Sequence, residues 1–140
     1  MVRIVIDANV LISASFGGIP LDAVGKAFSI GKIFVSPLIV AEVEATIQHL
    51  APKLGGERTS ALLRLWRSLL ARCAVIEPSC QIEICRDSKD DAYLALCAAA
   101  EADVLITGDN DLPVVDPALA PALPRVLKIL TPRQFLEQYG

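Results

Sequence analysis

Acidic residues stand in one recurring setting in this chain. Asp7 ends the β-branched run Arg3 to Ile6, and Asp109 and Asp111 lie in the turn Thr107-Gly108-Asp109-Asn110-Asp111 that ends the apolar run Val104-Leu105-Ile106. Asp91, with Asp90 beside it, leads the helical stretch between them, and Glu42 and Glu44 stand on an earlier one. If such carboxylates converge, they repel one another and cannot all stay ionised at neutral pH without a compensating cation. Oxygen donors without histidine or cysteine suit Mg²⁺ or Mn²⁺ rather than zinc. One such ion, or a pair ~3.5–4 Å apart, activates water and offsets charge on a phosphodiester during in-line displacement. The chemistry implied is hydrolysis of a phosphate ester in a nucleic acid backbone. No serine, cysteine or histidine is set up as a covalent nucleophile, so water is the attacking group, with Asn9 and Thr107 as residues that position it or a phosphate oxygen.

The elements that must bring these acids together can be read in order. The Asp87 to Leu112 stretch organises the chain: Ser88 and Asp91 form a capping-box-like start, and Tyr93, Leu94, Leu96, Cys97 and the following alanines make a helix apolar on nearly every side. Val104 to Ile106 is too short and apolar for a sheet edge, which places it inside a parallel sheet. Arg3 to Ile6, Lys32 to Val35, Cys73 to Ile76 and Val126 to Leu130 are the other expected strands. Between them, Val10 to Phe16 is a helical or loop segment, Gly17 to Pro20 a turn, and Leu21 to Ile30 a helix broken by Gly25. Ser36-Pro37 starts the next helix well. On that helix Val40, Val43, Ile47 and Leu50 form one apolar stripe, with Glu42 and Glu44 both off it, so periodicity does not choose between them. Residues 51–56 are a loop, Arg58 to Arg72 an amphipathic helix exposing Arg64 and Arg67, and Val115 to Pro124 an irregular proline-rich segment. Thr131-Pro132-Arg133-Gln134 caps the last helix. Alternating strands and helices mean an α/β fold with a central parallel sheet, and in such sheets ligand sites form at the strands' carboxyl ends.

Bulk properties set further bounds. The 140 residues fit a single domain, residues 1–140, with no linker or repeat. Hydrophobic residues make up 54%, yet no run reaches the ~18 residues that cross a bilayer, and Met1-Val2-Arg3-Ile4 enters a strand directly. The expectation is a cytoplasmic protein with no membrane association. Cys73, Cys80, Cys85 and Cys97 show no CxxC spacing, and the single histidine, His49, is remote from them, which argues for reduced thiols and against a zinc site. The net charge of −3 counts against nucleic acid binding unless the acids are gathered around cations.

The motifs resemble the PIN domain family. V-I-D-A-N-V-L-I-S-A at the start, S-P-x-x-x-x-E from Ser36, R-D-S-K-D-D-A-Y-L-A-L, T-G-D-N-D-L and I-L-T-P-R-Q-F-L occur in order over nearly the whole chain. More narrowly they are similar to VapC-type ribonucleases, the toxin components of toxin–antitoxin systems. The resemblance implies a three-layer α/β/α fold and a Mg²⁺- or Mn²⁺-dependent endoribonuclease with RNA as substrate, a cognate antitoxin protein as partner and a homodimeric state. By position it implies Asp7, Glu42, Asp91 and Asp109 as catalytic acids and metal ligands. Asp111 is a further ligand, and Asp90 a neighbour of the cluster. Arg64, Arg67, Arg86 and Lys89 are candidate RNA contacts.

Two rival readings bear on the same residues. Haloacid dehalogenase-like phosphatases also place an aspartate after the first strand, but need a second one two residues later, where this chain has Asn9. The other rival is a catalytically silent PIN-like module that binds RNA or protein. An intact acid set argues against it, because unneutralised carboxylates do not favour phosphate binding.

Overall fold

Three short runs, Ile4-Val5-Ile6, Ile33-Phe34-Val35 and Val104-Leu105-Ile106, are buried at every position. Such strands need apolar cover on both faces, which a parallel sheet between helical layers provides. The computed structural model, which describes residues 1–78, 88–108 and 127–140 (only the backbone at 88–90), has this arrangement. In chain order the elements are β1 (Val2–Ile6), α1 (Ala8–Ala14), α2 (Gly18–Ile30), β2 (Gly31–Val35), α3 (Pro37–Leu70), β3 (Ala74–Val75), α4 (Ser88–Ala100), β4 (Val104–Ile106), β5 (Lys128–Leu130) and α5 (Pro132–Tyr139). The sheet order is β3-β2-β1-β4-β5 and every pairing is parallel. Helices flank it: α1 packs on α2 and α3, α2 on α5, and α4 on β1 and β2.

The chain runs outward from β1 to β2 and β3, then returns past β1 to build β4 and β5. The direction of winding therefore reverses between β1 and β4, and the carboxyl ends of these two strands open a crevice. Register fixes what lies there. Ile6 pairs with Ile106, the Asp7 N–H donates to the Ile106 carbonyl at 2.9 Å, and the Thr107 N–H donates to the Leu130 carbonyl at 2.9 Å. Asp7 and Thr107 are thus neighbours because of strand pairing.

Local signals explain most boundaries. The Ser36 hydroxyl accepts from the Ile39 N–H at 3.2 Å with Pro37 in the first turn, and Thr131 and Gln134 form the expected reciprocal box. The Ser88 cap falls on a side chain outside the described residues. Gly25 does not break α2, which runs unbroken from Gly18. Burial of Ala23, Val24 and Ala27 against the core outweighs the roughly 1 kcal/mol cost of one helical glycine. The loop expected at 51–56 contracts to a kink: α3 passes through Pro52 and departs from helical geometry only at Gly55, whose φ of 80° suits glycine. No single described helix is long and apolar enough to cross a membrane.

Candidate active site at the β1–β4 crevice

Asp7 is 5% exposed and caps α1. One carboxylate oxygen, Oδ1, accepts from the Asn9 N–H at 2.9 Å, and the other, Oδ2, accepts from the Thr107 hydroxyl at 2.8 Å. Both donors are neutral. Burying a carboxylate is costly unless its oxygens are satisfied, and here each oxygen accepts from one neutral donor, which fixes the orientation of the group. Beside it opens a cleft of about 340 Å³ lined by Asp7, Asn9, Val10, Ser13, Gly108 and, from the facing helices, Pro20 and Pro132. The volume lies within the range of small-molecule sites.

Glu42 on α3 is half-buried, whereas Glu44 is exposed. The two glutamates differ in one further respect, a hydrogen bond that reaches Glu42 from another helix. Tyr93, in α4 and 3% exposed, accepts the Ala8 N–H at 3.0 Å and donates its own proton to Glu42 Oε2 at 3.2 Å. Burial, reinforced by the negative charges of Asp7 and Glu42, pushes the Tyr93 hydroxyl well above the usual phenol range, so it stays protonated and remains a donor. In the sequence Tyr93 stands among the apolar residues of its helix. The available signal was chemical: a tyrosine in a buried helix needs a partner for its hydroxyl.

Asp91 stands half-buried in the first turn of α4 and is engaged in an interaction there. The Asp90 and Lys89 side chains, and Arg86, Asp109 and Asp111 altogether, lie outside the described residues. Arg64 and Arg67 are exposed on the second half of α3, while the cleft is walled by α1, α2, α5 and the turn after β4. Among the described residues, no three acidic, histidine or cysteine side chains are gathered closely enough to hold a metal ion. Among the described residues that line the cleft, Asp7, Asn9 and Ser13 offer side-chain oxygens and there is no imidazole or thiol, a set that suits a hard divalent cation. Gly108 lines the cleft, and Asp109 and Asp111 follow it in the sequence, outside the described residues.

Fold and site together define a doubly wound parallel α/β domain with a buried carboxylate at its switch point. Residues 3–111 match the model of the PIN domain, and the chain belongs to that family. Its fold is also similar to the solved structure of VapBC2 from Rickettsia felis bound to a DNA fragment from their promoter. The TM-score is 0.59 at 13% identity, over 91% of this chain and 98% of that one. Among curated proteins, none matches this sequence.

Proposed function

We propose that this chain is a metal-dependent endoribonuclease and the toxin of a toxin–antitoxin pair. The observation that carries the reading is the buried Asp7 carboxylate, oriented by Thr107 and the Asn9 amide at the switch point and facing an open cleft. Asp7, Glu42, Asp91, Asp109 and Asp111 are the residues that would hold Mg²⁺ or Mn²⁺, with Asp90 as a neighbour. When bound, the cation lowers the pKa of a water and offsets the negative charge of the phosphodiester. Without a cation the same acids would repel the RNA backbone.

The protein's own groups have separate tasks in this reading. Thr107 fixes the Asp7 carboxylate by its 2.8 Å hydrogen bond, so little reorganisation is left for the reaction. Asn9 is exposed on the cleft wall, where its side-chain amide can orient water or a phosphate oxygen. Arg64, Arg67, Arg86 and Lys89 serve as sequence-independent contacts to the RNA backbone. Family membership and the fold shared with VapBC2 support a cognate antitoxin as partner, and the resemblance supports a homodimer acting in the cytoplasm.

The test is incubation of purified protein with labelled single-stranded RNA in Mg²⁺ or Mn²⁺, with a chelated control. Internal cleavage that stops on chelation is the expected result. Binding without cleavage under every metal condition would favour the silent module, and cleavage unaffected by chelation would refute metal dependence.

A further inference from the structure

Tyr93 is the one described side chain whose hydrogen bonds join an acid on α3 to the start of α1. Its hydroxyl accepts the Ala8 N–H, the amide next to Asp7 in the chain, and an amide can only donate. The phenolic proton is therefore directed to Glu42 Oε2. Glu42 is half-buried on a helix, with a long side chain whose rotamer freedom must be given up before it can serve a site. Tyr93 also follows Asp91 by two residues, so one helix carries both an acid and the group that ties a second acid to the start of α1.

We infer that Tyr93 is a positioning residue of the acid site, its hydroxyl bridge from the Ala8 amide holding the Glu42 carboxylate in place relative to Asp7. The inference rests on the metal-dependent reading above, and its failure can be told apart from failure of that reading. Outer partners of this kind commonly set metal affinity by roughly 10- to 100-fold.

Mn²⁺ binding to the full chain, followed by electron paramagnetic resonance, tests it without recourse to activity. Tyr93→Phe is expected to weaken Mn²⁺ binding roughly 10-fold or more. Because the effect runs through Glu42, adding Tyr93→Phe to Glu42→Gln should weaken binding no further. Unchanged affinity in Tyr93→Phe, or losses that simply multiply in the double variant, would overturn the inference and leave the metal reading standing. A wild-type chain that binds no Mn²⁺ would refute both.

A second measurement does not depend on Tyr93→Phe folding. The chain has two tyrosines, so 3-fluorotyrosine in a Tyr139→Phe background labels Tyr93 alone. Mg²⁺ should shift its fluorine resonance, and Glu42→Gln should abolish that shift. No shift in the labelled parent, or the same shift in Glu42→Gln, would also overturn the role assigned to Tyr93.

Discussion

Replacing Asp7 by asparagine and, separately, by alanine distinguishes the charge of this residue from its place in the fold. Asparagine keeps an oxygen able to accept the Asn9 N–H, and asparagine and aspartate are nearly equivalent helix caps. Its amide nitrogen can donate to the Thr107 hydroxyl, which rotates freely between donating and accepting. Asp7→Asn should therefore change stability by less than about 1 kcal/mol. Asp7→Ala loses the cap, about 1 kcal/mol, and a hydrogen bond to a charged group, about 1.5–3 kcal/mol. The sum, about 3 kcal/mol, lowers Tm by roughly 10 °C in a chain of this length. RNA cleavage should fall in both variants by roughly 10²–10³-fold, the usual cost of removing one electrostatic group from a preorganised site. Thermal unfolding and cleavage of labelled RNA, measured on the same preparations, give the two quantities. An Asp7→Asn variant that is folded, as stable as the parent and equally active would refute the reasoning, because only its charge has been removed.

Three further outcomes follow from particular contacts. Glu42→Gln should reduce cleavage by roughly 10²–10³-fold, whereas Glu44→Gln, altering an exposed side chain, should leave kcat/KM within about twofold of the parent in the same assay. Gly31→Ala would place a Cβ 2.5 Å from the Val2 carbonyl oxygen and 2.7 Å from Ile4 Cδ1, so denaturant unfolding should show a loss of about 1–3 kcal/mol as β1 and β2 are forced apart. Burial pushes the Cys73 thiol from its ordinary 9.0 up to about 11 and raises Cys97 further. Peptide-resolved alkylation of Cys73 should accordingly reach half-maximum near pH 11 rather than 9, with Cys97 unreactive until the chain unfolds. Both thiols are raised in the fold, so the unfolded chain loses these protons first, and stability should decline as pH climbs through this window from about 9 to about 11.

The architecture was legible in the sequence because burial on two faces leaves a strong mark. Val104-Leu105-Ile106 has no polar position to turn toward solvent, and the chain buries all three between β1 and β5. Caps with a local mechanism, Ser36 and Thr131 with Gln134, were legible for the same reason: the partner lies three residues away. The placement of Asp7 beside Thr107 was legible only in outline. Both were seen to end strands, but their 2.8 Å contact depends on β1 pairing with β4 a hundred residues later. Helical period does not choose Glu42 over Glu44, since neither lies on the apolar stripe; the family resemblance points to Glu42, and the hydrogen bond it receives from Tyr93 on another helix had no local signal. Breaks were over-read at glycine and proline. Gly25 stays inside α2, where burial of Ala23, Val24 and Ala27 outweighs local propensity, and of the expected loop only Gly55 leaves helical geometry. The expected ligands Asp109 and Asp111 lie outside the described residues, so the fourth side of the site rests on sequence position.

In the proposed reading, side chains from separate elements form one cation site around Asp7. Anomalous diffraction from crystals soaked in Mn²⁺ tests it most directly. A peak is expected about 2.1 Å from an Asp7 carboxylate oxygen, shared with at least two of Glu42, Asp91, Asp109 and Asp111. Full soaking with no peak at the β1–β4 crevice, and Asp7 still held only by Thr107 and the Asn9 amide, would contradict it.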